Sequence, residues 1–314
     1  MAFTPKTQAF SSSIETVTIG TGDKAVTLGG INVLPFYSFD APITNAPKIG
    51  IEITDEGLAA YPQAGLQEFY AGCTTPAEMA KRAETMYGAD FICLHLEGAD
   101  PNGENKSVEE CVELAKSVAD AITMPLVIMG CKNIEKDAEI FNKISDALQG
   151  KNILVLSARE ENYKTVGASA ALAYGQKVGA ESAVDINLAK QLNVLMTQLG
   201  VPASSIVMNA GSAAAGYGFE YVASTLDRIR AAALAQSDNQ LQMPIITPIS
   251  PETWGVKEAM MSEADMPEWG PAEDRGIEME TTTAAACLAG GSDAVIMRHP
   301  ASVKAIADMI RALV

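Results

Sequence analysis

From Lys48 to Val314 the sequence repeats one theme: a short apolar run ends in a polar residue, and an amphipathic helical pattern follows. The runs begin near Ile49, Phe91, Leu126, Ile153, Ser182, Ile206, Ile245 and Ala294. Their spacing of about 25–50 residues is that of a strand–helix unit. Continuous Val/Ile/Leu runs, rather than alternating ones, mark parallel strands buried on both faces. Eight such units predict an α/β fold: a closed (β/α)8 TIM barrel rather than an open doubly wound sheet.

The first 47 residues differ. Ile14–Ile19 and Lys24–Leu28 carry β-branched residues on either side of Gly20-Thr-Gly22, which reads as a β-hairpin. A Pro-rich stretch, Pro35 to Pro47, follows. The chain therefore divides into an N-terminal hairpin and lead-in over 1–47 and a barrel over 48–314. The hairpin is expected to plug the barrel bottom or to extend an interface.

The helices are well signed. Thr75-Pro-Ala-Glu78 is a capping box with proline in the first helical position, and Ser107-Val-Glu-Glu110 is another. Leu188, Leu192, Leu195 and Leu199 form a stripe that stops at Gly200. Asn187 is expected to cap that helix, and Ser302 the last one.

Charge and cysteine content narrow the function classes. Lys plus Arg is 22 and Asp plus Glu is 39, a formal net charge of −17. That argues against nucleic acid and anionic membranes, both of which need a basic face. The five cysteines, Cys73, Cys93, Cys111, Cys131 and Cys287, show no C-x-x-C spacing. Neither a zinc site, nor a cluster, nor a disulfide framework is expected from this chain alone. Met1–Ser13 lacks the pattern of a signal peptide and no apolar run reaches spanning length, so a cytoplasmic location is expected.

In a TIM barrel, function sits at the C-terminal ends of the strands. Those ends carry Glu52, Thr54 and Asp55; His95 and Glu97; Cys131 and Lys132; Ser157, Arg159 and Glu160; Asp185 and Asn187; Asn209; Thr247, Ser250 and Thr253; and Arg298 and His299. Carboxylates and amides dominate. Lys132 is the one amine, so a Schiff-base aldolase is weakly supported. No metal-ligand spacing and no phosphate-binding glycine loop is present: Gly20-x-Gly22 sits in the hairpin, and Gly216-x-Gly218 lacks a third glycine. From position and residue type, the best candidates for contacts at the mouth are Ser157, Asp185, Asn187, Asn209, Thr247, Ser250 and Arg298. No residue is assigned a catalytic or metal-ligating role.

Longer strings serve no generic barrel purpose. They include Glu160-Glu-Asn-Tyr-Lys164, Asp185-Ile-Asn-Leu-Ala-Lys190, Gly216-Tyr-Gly-Phe-Glu-Tyr221, Asp227-Arg-Ile-Arg-Ala-Ala-Ala233, Met243-Pro-Ile-Ile-Thr-Pro248, Pro267-Glu-Trp-Gly270 and Arg275-Gly-Ile-Glu-Met-Glu280 through to Ala294-Val-Ile-Met-Arg-His-Pro300. Over roughly Lys48 to Val314 the chain resembles the small, delta-type subunit of the corrinoid iron–sulfur protein of the acetyl-CoA decarbonylase/synthase (Wood–Ljungdahl) system.

The resemblance implies a heterodimer. A large subunit would carry the iron–sulfur cluster and hold most of the corrinoid (cobalamin), and this chain would carry no cluster. The pair would take a methyl group from methyltetrahydrofolate through a methyltetrahydrofolate:corrinoid methyltransferase and deliver it to acetyl-CoA synthase/CO dehydrogenase. The barrel mouth would cap the cobalt, with the seven residues above as cofactor contacts. Tyr217 and Tyr221 would pack at the large-subunit interface or against the helix after the sixth strand. One departure stands at the mouth: the family tends to carry Asp-Pro after the sixth strand, where this chain has Asn209-Ala210. A corrinoid signature, D-x-H-x-x-G, is only half matched, with Cys93 in the Asp position before His95 and Gly98. The rival reading is a TIM-barrel methyltransferase that binds the pterin of methyltetrahydrofolate directly, for which Asp185, Asn187 and Asn209 are suitable residue types.

Overall fold

A computed structural model describes residues 6–314. The first five residues, which belong to the lead-in and to the absent-leader reading, lie outside the described residues. A two-stranded antiparallel hairpin, β1 (Thr16–Ile19) and β2 (Val26–Gly29), comes first. Eight parallel strands follow: β3 (Lys48–Thr54), β4 (Phe91–His95), β5 (Leu126–Met129), β6 (Leu154–Ala158), β7 (Lys177–Glu181), β8 (Ile206–Asn209), β9 (Ile246–Pro248) and β10 (Ala294–Met297). Their order is β8-β7-β6-β5-β4-β3-β10-β9, and a parallel bridge from Met208 to Ile245 joins the two ends. The sheet is thus a barrel, as expected.

The helical layer comprises α1 (Ala64–Phe69), α2 (Pro76–Ala83), α3 (Val108–Ala121), α4 (Ile134–Ala147), α5 (Tyr163–Val166), α6 (Ile186–Leu199), α7 (Phe219–Ala235), α8 (Ser250–Thr253), α9 (Lys257–Met260), α10 (Ala272–Gly290) and α11 (Pro300–Leu313). Both predicted capping boxes form: Thr75 and Ser107 each accept from the backbone of the glutamate three residues on, and each glutamate reaches back. Gly200 ends α6 at φ 106°, a left-handed position that suits glycine.

Two apolar cores result. The larger lies between barrel and helices, and the smaller fills the lumen with Phe91, Cys93, Val127, Leu154, Val207, Ile246 and Ile296. Val17, Ile19 and Leu28 of the hairpin belong to the lumen core. Asn152, just before β6, donates to the carbonyls of Thr18 and Gly20. The hairpin therefore stoppers the barrel at the N-terminal ends of its strands. Gly50 of β3 leaves room for Phe91: a Cβ there would lie 2.0 Å from the ring.

Three local expectations are corrected. The fifth barrel strand is Lys177–Glu181, ahead of Ser182, where the sequence reading placed it. Its Gly179 and Ala180 dilute the apolar signal. Asp185, not Asn187, caps α6, accepting from the backbone N–H of Asn187 and Leu188. His299, not Ser302, caps α11, with Pro300 at the first helical position and Ser302 buried inside the helix.

Candidate functional site

Side chains alternate across each strand, so one parity faces the lumen and the other faces the helices. On the lumen parity the barrel mouth carries Glu52 and Thr54 of β3, His95 of β4, Asn209 of β8 and Arg298 just after β10. β6 bulges between Val155 and Ala158, where its register with β7 shifts, and Ser157 lies in that bulge.

Two pockets open at the mouth. One of about 240 Å³ has Met129, Leu156 and Pro248 as its apolar lining and Ser157, Glu181 and Asn209 as polar lining. Asn209 Nδ2 donates to Ser157 Oγ at 3.0 Å, and Asn209 Oδ1 accepts from the backbone of Gly211 at 3.1 Å. Arg159 donates to Glu181 at 2.7 Å on the same wall. Lys132, at a positive φ of 69°, pairs with Glu252 at 3.2 Å and borders this pocket.

The second pocket, about 420 Å³, lies on the other side of Lys132 and includes Thr54, His95, Trp254 and Arg298 in its walls. Beneath it is a buried ionic network. Glu52 is fully buried; its Oε2 accepts from Arg298 Nε at 3.0 Å and Nη2 at 2.8 Å, and its Oε1 lies 2.7 Å from His95 Nδ1. Burial alone would push the Glu52 carboxyl up. The Arg298 guanidinium and the His95 hydrogen bond overcome this and hold it at about 2. Arg298 also lies over the Tyr61 ring, 4.7 Å from its centroid. Glu280, also fully buried, accepts from the backbone N–H of Arg298 and His299, and burial pushes its carboxyl up.

The seven predicted contact residues fall into separate groups. Ser157 and Asn209 meet in the smaller pocket, and Arg298 lines the larger. Asp185 and Asn187 are not at a strand end: both are exposed at the start of α6, a consequence of the earlier position of β7. Thr247 sits on the parity opposite to Ile246, is fully buried and shares a 2.7 Å hydrogen bond with Ser292. Ser250 is fully buried at the start of α8 and donates to the Ile296 carbonyl at 3.4 Å. Thr247 and Ser250 line neither pocket. Tyr221 is exposed on α7 itself, and the Tyr217 hydroxyl donates to Glu258.

Sequence reasoning passed over Glu181 as a wall residue, because the weak β7 run hid its strand end. It also left the Glu52–His95–Arg298 network unassembled, although a glutamate inside Ile51-Glu-Ile53 already demanded a buried partner. Burial pushes the Cys131 thiol, at the mouth, up to about 12, and raises the Cys93 thiol in the lumen as well. Among the described residues no group of three or more His, Cys, Asp or Glu is placed to hold a metal ion, all five cysteines are free, and no helix is long and apolar enough to cross a membrane.

This architecture is that of the dihydropteroate synthase barrels. The enzyme from Thermus thermophilus in complex with 4-aminobenzoate superposes with a TM-score of 0.55 at 12% identity, covering 95% of this chain and 100% of that one. The Xanthomonas albilineans enzyme gives 0.55 at 12% identity, covering 95% and 98%. At such identity the likeness shows the fold alone.

Sequence relationships are more specific. A family model described as CO dehydrogenase/acetyl-CoA synthase delta subunit matches residues 16–307. The acetyl-CoA decarbonylase/synthase complex subunit delta of Archaeoglobus fulgidus is 33% identical over 99% of this chain and 71% of its own length. Subunit delta 2 of Methanosarcina acetivorans is 33% identical over 94% of this chain and 67% of its own. The chain belongs to the CO dehydrogenase/acetyl-CoA synthase delta subunit family.

Proposed function

We propose that this chain is the barrel subunit of a corrinoid methyl carrier, and that its mouth caps the corrinoid held by a larger, cluster-bearing partner. Family membership supports the assembly: the relatives are named as subunits of an acetyl-CoA decarbonylase/synthase complex. The carrier would receive its methyl group through a methyltetrahydrofolate:corrinoid methyltransferase and pass it to acetyl-CoA synthase/CO dehydrogenase.

The observation that carries the capping role is the Ser157–Asn209 pair in the floor of the smaller pocket. At about 240 Å³ that pocket is below the ~300–1,000 Å³ that enclose a small molecule, so a macrocycle would lie across the mouth rather than enter it. The residues present fit such a group. Ser212 Oγ, on the wall of this pocket, is buried without a protein partner among the described residues, and the primary amides around a corrin ring supply both donors and acceptors. When bound, the corrinoid would supply the cobalt that carries the methyl group. The chain's own part is enclosure. Met129, Leu156 and Pro248 give an apolar surface that displaces water, and Asn209 and Ser157 offer hydrogen bonds without a charge. The mouth thiol is not poised for attack, because burial raises Cys131.

The test is co-expression with the genomic neighbours and purification through a tag on this chain, followed by cobalt analysis and a visible spectrum. Cobalt that arrives only with a second, cluster-bearing chain is the expected result. A colourless chain that purifies alone and binds methyltetrahydrofolate would overturn it in favour of a pterin-binding methyltransferase.

A further inference from the structure

The larger mouth pocket is chemically unlike the smaller one. Glu56, Glu97 and Asp100 stand in its wall. Burial, followed by repulsion from Glu97, Glu104 and Asp55, pushes the Glu56 carboxyl up, so negative charge is crowded here beyond what Lys106 offsets. A second observation is independent of that charge. Thr54 and Gln63 line the same pocket at 1% and 8% exposure, and Thr54 Oγ1 and Gln63 Oε1 have no protein partner among the described residues. Thr54 is on the lumen parity of β3, so it faces the mouth. Buried polar atoms of this kind are normally satisfied by a partner, because an unmet one loses its hydration with nothing in return.

The wall therefore offers acceptors at Gln63, Glu97 and Asp100, a hydroxyl donor at Thr54, and the Lys132 ammonium, which is paired with Glu252 through one of its three N–H donors. An anion is disfavoured by the carboxylates. A bare cation would use the acceptors alone and would be repelled by the Lys132 ammonium in the same wall. A primary amide uses both, with its NH2 toward the acidic wall and its carbonyl toward the donors.

We infer that the pocket walled by Thr54, Gln63, Glu97 and Asp100 is a primary-amide subsite, and that it makes the mouth select a fully amidated corrinoid over the same ring bearing free carboxylates. The inference rests on the capping role proposed above and names its chemical selectivity. The amide side chain of a ring lying across the mouth enters this pocket, while the ring face covers the Ser157–Asn209 pair.

The test uses the full chain together with the partner it co-purifies with, stripped of corrinoid and reloaded with cobinamide (amidated) or cobyrinic acid (carboxylate). Wild-type protein is expected to retain cobinamide at least tenfold better. Glu97→Lys, a change at an exposed position outside the core, is expected to cut that ratio at least fivefold, and Gln63→Ala to weaken cobinamide retention specifically. Equal retention of the two rings, or a ratio unmoved by Glu97→Lys, overturns the inference while leaving the capping role in place. Absence of any cobalt-bearing partner overturns both.

Discussion

His95 Nδ1 lies 2.7 Å from Glu52 Oε1, and the other oxygen of that same buried carboxylate receives the Arg298 guanidinium. One anion thus ties together β3, β4 and the end of β10. In the chain order Glu52 and Arg298 are 246 residues apart. They meet because β3 and β10, the first and last barrel strands, are neighbours in the sheet.

Removing that anion strands a buried cation. Glu52→Gln is expected to lower stability by ~3–5 kcal/mol, the range for breaking a buried ion pair from one side. Equilibrium denaturation of the variant measures it. A loss under about 1 kcal/mol would show that the pair contributes little beyond its hydrogen bonds.

The same carboxylate sets a pH dependence. Its folded-state pKa of about 2 lies below the ordinary 4.5. Its contribution is therefore complete above about pH 4.5 and is lost as the pH falls from there toward 2. The size is on the order of 3 kcal/mol. Denaturation between pH 6 and pH 3 is expected to show a shallower acid limb in Glu52→Gln than in wild type. Parallel limbs would assign acid sensitivity to other carboxylates.

The lumen is filled at Gly50. A methyl group there overlaps the Phe91 ring, so Gly50→Ala is expected to cost ~1–3 kcal/mol through overpacking. Phe91→Leu should recover part of that loss in the double variant, although it is destabilising alone. Strict additivity would mean the two sites do not share the space.

The hairpin is held by its apolar face. Leu28→Ala, in the lumen core, is expected to cost ~2–5 kcal/mol. Thr27→Ala on the same strand removes one methyl and a hydroxyl that shares a 3.0 Å contact with Thr18, and should cost about 1 kcal/mol or less. Similar losses for the two would argue that the hairpin is a surface appendage rather than a stopper.

Asp185 and Asn209 separate capping of a helix from contact at the mouth. Asp185→Ala is expected to cost about 1 kcal/mol of stability, as for a lost N-cap, with corrinoid retention unchanged. Asn209→Ala removes the hydrogen bonds to Ser157 and from Gly211, should cost about 1–3 kcal/mol, and under the proposed capping role should also speed oxidation of cobalt in the co-purified complex, followed in its visible spectrum. The opposite pattern would move the proposed corrinoid contact from β8 to the start of α6.

What the sequence determined by itself is local. Strand–helix units, both capping boxes, the hairpin and the Gly200 stop all rest on interactions within a few residues, so periodicity and cap chemistry reveal them. The same reading failed at β7, where Gly179 and Ala180 give no apolar run, because tight packing against Leu156 favours small residues there. Tertiary structure alone decided which polar residues meet. Ser157 reaches Asn209 through the β6 bulge, and Thr247 turns away from the mouth because one residue of register exchanges the lumen for the helical layer. Barrel closure, a long-range event with no local signature, brought Glu52 against Arg298.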